Sequence, residues 1–281
     1  MLKQEITLKE IKKIFATKAI KIEYLTRLSS LKSIVINYGR SEASINQAII
    51  DSWDYENSKA VIRKMHKESQ KYIIGSQCKE GIERALLDWK INNLGDFTWP
   101  FSAMNFDRRV VAINRLDLSE KEKDELLAKE VIKFRRIKDI NTMRNDYIEY
   151  LITTNNENIT PTLTHRSGVD FYIDGEPYDQ KVSKSVGRDF ITQYGDSYRE
   201  IAINNPELVA KSLYEHQDGE RFDAEPRLYI VYLDDNISNE QIEKLLSNID
   251  FNKPYPIEFD YYHANVLEHH TTHCFIVLLH N

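Results

Sequence analysis

The chain is expected to adopt an α/β (α+β) fold, in which a central mixed β-sheet is flanked by helices and a helical N-terminal half is attached to it. Three observations predict this. Apolar residues recur at three- and four-residue spacing through the first 140 of 281 residues, β-rich runs between turn residues take over afterwards, and the charge divides at the same place. Residues 1–140 carry 27 Lys and Arg against 20 Asp and Glu, and residues 141–281 carry 11 against 24, so a half of +7 adjoins a half of −13. Basic surface recruits polyanions, and clustered carboxylates hold divalent metals. A hydrophobic content of 41% with 16 Tyr and 11 Phe is enough for a sizeable core and excludes a disordered chain. The longest clean apolar run, 274–279, is far too short to span a membrane, and the N-terminus lacks the apolar core of a signal peptide. A cytoplasmic protein without a membrane partner is expected. Two distant cysteines, Cys78 and Cys274, make neither a disulfide framework nor a zinc knuckle.

In the first half, Thr7 with Glu10 three residues later forms a capping box that opens a helix over 7–16. Further periodic segments predict helices over 41–50, 59–72 and 77–94. A second box, Ser119 with Glu122, opens a helix over 119–138 that closes on Lys133, Arg135, Arg136 and Lys138, where cations favour the helix dipole. After residue 140 a short helix over 141–154 precedes strands at 159–164, 169–173 and 178–183. A helix over 206–215, a strand over 227–233, a helix over 239–246 and a final strand over 272–279 complete the order. Helix, three strands, helix, strand is the order of an α/β core with a mixed sheet. Two regions follow from it: a helical subdomain, 1–140, and a core, 141–281.

The chemistry concentrates in one hairpin. Asp174-Gly175 between two β-prone runs is a strong signal for a two-residue turn. That register sets Phe171 opposite Tyr178 and Asp170 opposite Asp179, with Lys181 on the same face as Asp179 and Gly168 opposite it. Opposed carboxylates destabilise a sheet unless a cation neutralises them, and Mg²⁺ usually takes one or two carboxylates while keeping several waters. A lysine beside such a metal can orient an attacking water and stabilise charge developing on a phosphate. A four-residue turn would instead set Asp170 opposite Lys181 as an ordinary ion pair, and Pro177 removes one ladder donor.

Gly168-Val-Asp170 followed by Asp179-Gln-Lys181 resembles the PD-(D/E)xK nuclease superfamily, which holds most type II restriction endonucleases. The likeness covers about residues 141–235 and implies a restriction-endonuclease-like core. It implies that Asp170 and Asp179 bind Mg²⁺ (Mn²⁺ can substitute), that Gln180 lends its main-chain carbonyl, and that Lys181 is catalytic. Many members add a helical glutamate before the first strand. Glu149 is the best-spaced candidate here, with Asp146 and Glu83 as rivals. The naming proline is absent before Asp170, where Gly168-Val169 stand, and no glutamine–tyrosine pair follows at the spacing of the RecB-like branch.

The resemblance implies a site-specific, type II deoxyribonuclease acting on double-stranded DNA. It further implies a homodimer that cuts both strands and a DNA methyltransferase encoded nearby. The helical half would grip DNA or form the dimer, with Arg135 and Arg136 on its basic segment and Arg166 and Lys184 flanking the hairpin. The same fold serves low-specificity repair or mobile-element nucleases, and an ion-paired hairpin would suit a non-catalytic DNA-binding protein. Five of eight histidines fall in the last nineteen residues, in what reads as a polar loop before the last strand without partners at a metal-ligand spacing. No phosphate-binding glycine loop, nucleophile elbow or zinc-finger spacing occurs.

Overall fold

A computed structural model describes residues 2–95, 103–164, 168–217, 224–234, 237–263 and 266–281. The N-terminal elements are helices α1 (Leu8–Ile14), α2 (Lys18–Lys32), α3 (Glu42–Ser52), α4 (Tyr55–Lys67), α5 (Gln70–Ile91) and α6 (Ala103–Asn114). The long helix α7 (Glu120–Asn155) leads into β1 (Ile159–Pro161), β2 (Phe171–Ile173) and β3 (Glu176–Ser183). Helices α8 (Arg188–Tyr194), α9 (Tyr198–Asn204) and α10 (Pro206–Glu215) then precede β4 (Arg227–Tyr232), α11 (Asn239–Ser247), β5 (Tyr255–His263) and β6 (Val266–Leu279). Thr7 and Ser119 close the two capping boxes read from the sequence.

The six strands form one mixed sheet in the order β1-β2-β3-β4-β6-β5. β1, β2 and β3 pair antiparallel, β4 lies parallel to both β3 and β6, and β5 returns antiparallel to β6. β4 is buried along its whole length because helices cover both faces of the sheet, which is why it reads as a nearly continuous apolar run. Its side chains alternate. Leu228, Ile230 and Tyr232 meet α5, α7 and α11 through Ile82, Ile148, Ile152 and Ile242, while Tyr229 and Val231 meet α8–α10 through Phe190, Val209 and Tyr214. A third apolar cluster gathers α1–α4 around Tyr24, Ile49 and Ile62 and includes Val169 and Tyr172 beside the hairpin. The helical half is thus seated on the strands that carry the candidate site.

Several elements depart from the sequence reading. The expected pair of helices, 119–138 and 141–154, is one helix. Residue 140, the expected region boundary, lies within α7, where Ile137 and Ile140 are fully buried. The cations at 133–138 therefore sit in mid-helix and compensate no helix terminus. Helices α2, α6, α8 and α9 were not anticipated, nor was β5. Of the C-terminal histidines, His263, His269, His270 and His273 lie in the β5–β6 ribbon instead of a loop and His280 follows it, and acids reach two of them across strands: Asp260 bonds His269 at 2.9 Å and Glu176 bonds His273 at 3.1 Å. Both cysteines are free and buried. Among the described residues, no helix is long and apolar enough to cross a membrane.

Candidate active site

The hairpin between β2 and β3 has the two-residue turn, with Ile173 opposite Glu176, Tyr172 opposite Pro177 and Phe171 opposite Tyr178. Asp174 and Gly175 both take positive φ, 51° and 87°, which matches the right-handed twist of the strands. Adjacent pairs of an antiparallel ladder alternate between hydrogen-bonded and non-bonded. Since Ile173–Glu176 closes the tight turn, Pro177 falls on a non-bonded pair and β2 needs no donor from it.

The sequence register does not continue to Asp170. The Asp170 N–H also reaches the Tyr178 carbonyl (3.0 Å), so two residues of the first chain segment face one of β3, which is a bulge. Asp179 meanwhile turns its N–H to Pro226 (3.2 Å) and begins the pairing with β4. The expected direct Asp170–Asp179 pairing is thereby replaced: the bulge re-aims the Asp170 carboxylate so that it accepts the Gln180 N–H at 2.7 Å. An extended strand directs a residue's N–H and C=O to the same edge. The Gln180 carbonyl therefore faces the edge where Asp170 lies. Gly168, expected opposite Lys181, lies outside the ladder with φ of 104°, a conformation that favours glycine.

The carboxylates gather around this edge. Burial pushes Asp170 up to about 6, and the charges of Asp179 and Glu149 act in the same direction, while the Gln180 hydrogen bond and Lys71 oppose them. Of the three candidate accessory acids, Glu149 on α7 is the one whose charge acts on Asp170. Its rivals act elsewhere: Glu83 sits beside Asn239 of α11, and the Asp146 charge acts on Cys78 of α5. Lys181 is half-exposed and holds Asp179 at 2.5 Å, two residues back on the same face of β3.

Lys71, in the first turn of α5, ion-pairs with Glu149 at 2.5 Å and was not found from the sequence. Nothing near Lys71 in the chain signals its partner, which lies on another helix. Thr162 supports the site from behind by donating its hydroxyl to the Asp170 carbonyl at 3.1 Å. Lys71 and Thr162 also line a cavity of about 420 Å³, whose wall includes Ile20, Met65 and His66 and none of the three site carboxylates. Burial pushes His66 down to about 4, so its ring is neutral at neutral pH.

The remaining sequence candidates are dispersed. Lys184 is exposed just past the end of β3, and Arg135 is exposed on α7. Arg136 pairs with Asp88 of α5 at 2.8 Å. Along a continuous helix, Arg135 is about 20 Å from Glu149. Arg166 lies outside the described residues.

The donor set near Asp170 consists of oxygens, which suits a hard cation such as Mg²⁺ more than zinc. Two carboxylates and a carbonyl are a usual protein share for Mg²⁺, the rest being water or phosphate oxygen. Among the described residues, no three His, Cys, Asp or Glu side chains form a ready metal cage. Comparisons with protein-family models, curated proteins and solved structures find no match to this chain.

Proposed function

We propose that the chain is a Mg²⁺-dependent endonuclease of PD-(D/E)xK type that hydrolyses double-stranded DNA at a short specific sequence. The observation that carries the reading is the Asp170 carboxylate, set by a bulge against the backbone N–H of Gln180 and pushed up by burial and then by two neighbouring acids. Like charges held together in a partly buried place cost stability, and such arrangements concentrate at functional sites. The run α7, β1–β3, α8–α10, β4, with β4 parallel to β3, further supports a restriction-endonuclease-like core.

In this reading Asp170, Asp179 and the Gln180 carbonyl hold the cation, with Glu149 beside them. A bound Mg²⁺ supplies positive charge to the phosphate and acidifies a coordinated water. Lys181 keeps its ammonium beside the Asp179 carboxylate. It orients the attacking water and stabilises the negative charge that builds on the phosphate oxygens. Lys71 fixes Glu149 in place through their ion pair. The exposed Arg135 and Lys184 meet DNA phosphates, an interaction that weakens with salt. A DNA methyltransferase encoded nearby would protect the host genome.

The test is digestion of long unmethylated phage DNA in Mg²⁺ and in EDTA, with Lys181→Ala alongside. Discrete fragments that need Mg²⁺ and vanish in the variant support the reading, whereas a smear supports a low-specificity nuclease of the same fold. The 2.5 Å Lys181–Asp179 ion pair favours a second reading, a non-catalytic DNA-binding protein whose lysine and acid neutralise each other. Calorimetric titration with Mn²⁺ separates the two, since only a site of two carboxylates takes up the metal.

A further inference from the structure

The sheet is open along one stretch of β6. β5 covers one edge of that strand from Val266 to Cys274, and β4 covers the other edge from Cys274 to Leu279. Among the described residues, 275–279 therefore have a neighbouring strand on one side alone. Ahead of Tyr255 the chain leaves the row that β5 occupies. Lys253 turns its N–H to the Asp250 carbonyl at 3.2 Å, and Phe251 packs on Phe275 with ring centroids 5.1 Å apart.

The alternation of a strand fixes where the free groups point. The Leu279 carbonyl accepts the N–H groups of Leu233 and Asp234, so Leu279 faces the β4 edge. Alternate residues face alternate edges, and Ile276 and Leu278 thus direct their N–H and C=O groups to the open one. None of the described residues bonds these four groups. Such a row of unpaired main-chain groups is a template for another strand. A cavity of about 490 Å³ runs beside it. Ile203 and Pro206 form one wall on the α9–α10 side, and Leu245 and Ile249 form the other on the α11 side.

We propose that this slot binds an extended, uncharged apolar segment of a partner protein, which pairs its main chain with Ile276 and Leu278 and continues the row of β5. Charge chooses the occupant. The acid and the lysine of the lining, Asp250 and Lys253, lie 3.7 Å apart and offset each other, so the slot suits neither a phosphate backbone nor a strongly charged peptide. Burial chooses its side chains, because a strand covered on both faces is a continuous apolar run. Residues 275–279 span about 17 Å at the rise of a strand, which sets the length of the seated segment. Main-chain bonds supply the affinity, and the two apolar walls supply the choice of side chain. The docking does not depend on the nuclease reading, since β4 and β6 lie between the slot and β3.

Amide hydrogen exchange on the full chain tests it, with short peptides selected from a displayed random library as the probe. In the free chain the Ile276 and Leu278 amides should exchange far faster than those of Phe275 and Val277, which β4 holds. Selected peptides should be rich in uncharged β-branched residues and should slow the two amides by about tenfold or more. N-methylation of alternate peptide amides should abolish binding in one phase and spare it in the other, because one set of a strand's donors faces the edge. Ile203→Glu, at a position 39% exposed, should weaken binding by about tenfold or more with unchanged circular dichroism. A library without binders, binders that leave both amides unchanged, equal binding by the two methylated forms, or full binding in Ile203→Glu overturns the proposal. So do amides already slow in the free chain, and a doubled mass would then assign the edge to a second copy.

Discussion

The main-chain N–H of Gln180 donates to the Asp170 carboxylate across 2.7 Å, tying the first acid of the candidate site to the strand that carries the second. One bond therefore sets the spacing of two negative groups that would otherwise move apart. It also relieves part of the burial that pushes Asp170 up.

Removing the charge partners should separate chemistry from folding. Lys181→Ala or Asp179→Asn is expected to slow DNA cleavage by about 10²–10⁴-fold. Neither side chain belongs to an apolar cluster, so circular dichroism should be unchanged. Single-turnover cleavage rates at saturating enzyme check this, and wild-type rates in Lys181→Ala would exclude its catalytic role.

Asp170 should make metal-free stability fall with pH. Its folded value is raised from 3.8 to about 6, so its contribution is fully present below pH 4 and is lost as pH rises through 6. The size is about 2–3 kcal/mol by linkage. Asp170→Asn, which cannot ionise, should be more stable than wild type in EDTA at pH 7.5 and equal or weaker at pH 4. Urea denaturation at the two pH values reads the crossing, and parallel curves would contradict it.

The cation should reverse that penalty. At pH 7.5, Mg²⁺ or Mn²⁺ at about 100 times its Kd should add about 2.7 kcal/mol to wild-type stability. Asp170→Asn and Asp179→Asn should show little gain. Thermal melts with and without EDTA provide the comparison, and equal shifts in all three proteins would place the metal elsewhere.

The turn should be intolerant at one position and permissive at its neighbour. Gly175 has φ of 87°, and a Cβ there would lie 3.1 Å from the Lys3 backbone nitrogen. Gly175→Val should cost more than about 1 kcal/mol through strain and displacement of the N-terminal segment. Asp174→Asn, at φ of 51°, should cost only the ion pair to Lys3, because asparagine tolerates that conformation. Chemical denaturation measures both.

The parts of this fold that were legible from the sequence were those fixed by local rules. Thr7 and Ser119 announce their helices because a capping box needs only four residues. The Asp174-Gly175 turn announces its register because few residues accept two positive φ angles in succession. The α10 and β4 bounds follow from Pro206 at a helix start and an apolar run buried on both faces. What escaped notice depends on distant partners. Lys71 meets Glu149 only after α5 and α7 have packed. The bulge at Asp170 arises where β3 exchanges β2 for β4, a competition that no hairpin pattern contains. α2 spreads its apolar residues without a clear stripe, and both α3 and α4 pack on it. β5 begins on Tyr255-Pro256 and carries acids, so its strand character comes from pairing with β6. The break expected near residue 140 was inferred from a change in composition, but buried Ile137, Ile140 and Ile148 keep α7 in one piece.

That uninterrupted helix limits how such a protein can be recombined. A cut between residues 140 and 141 would divide α7 in mid-turn and strip Ile140 from the apolar residues that cover it, so neither fragment would be a transferable module. A chimaera that exchanges the N-terminal region keeps α7 whole only if its junction lies ahead of Ser119, where a polar cap already starts the helix, and its new α5 must still match α7 and the sheet core. The whole rod would then travel with the carboxylates it supports.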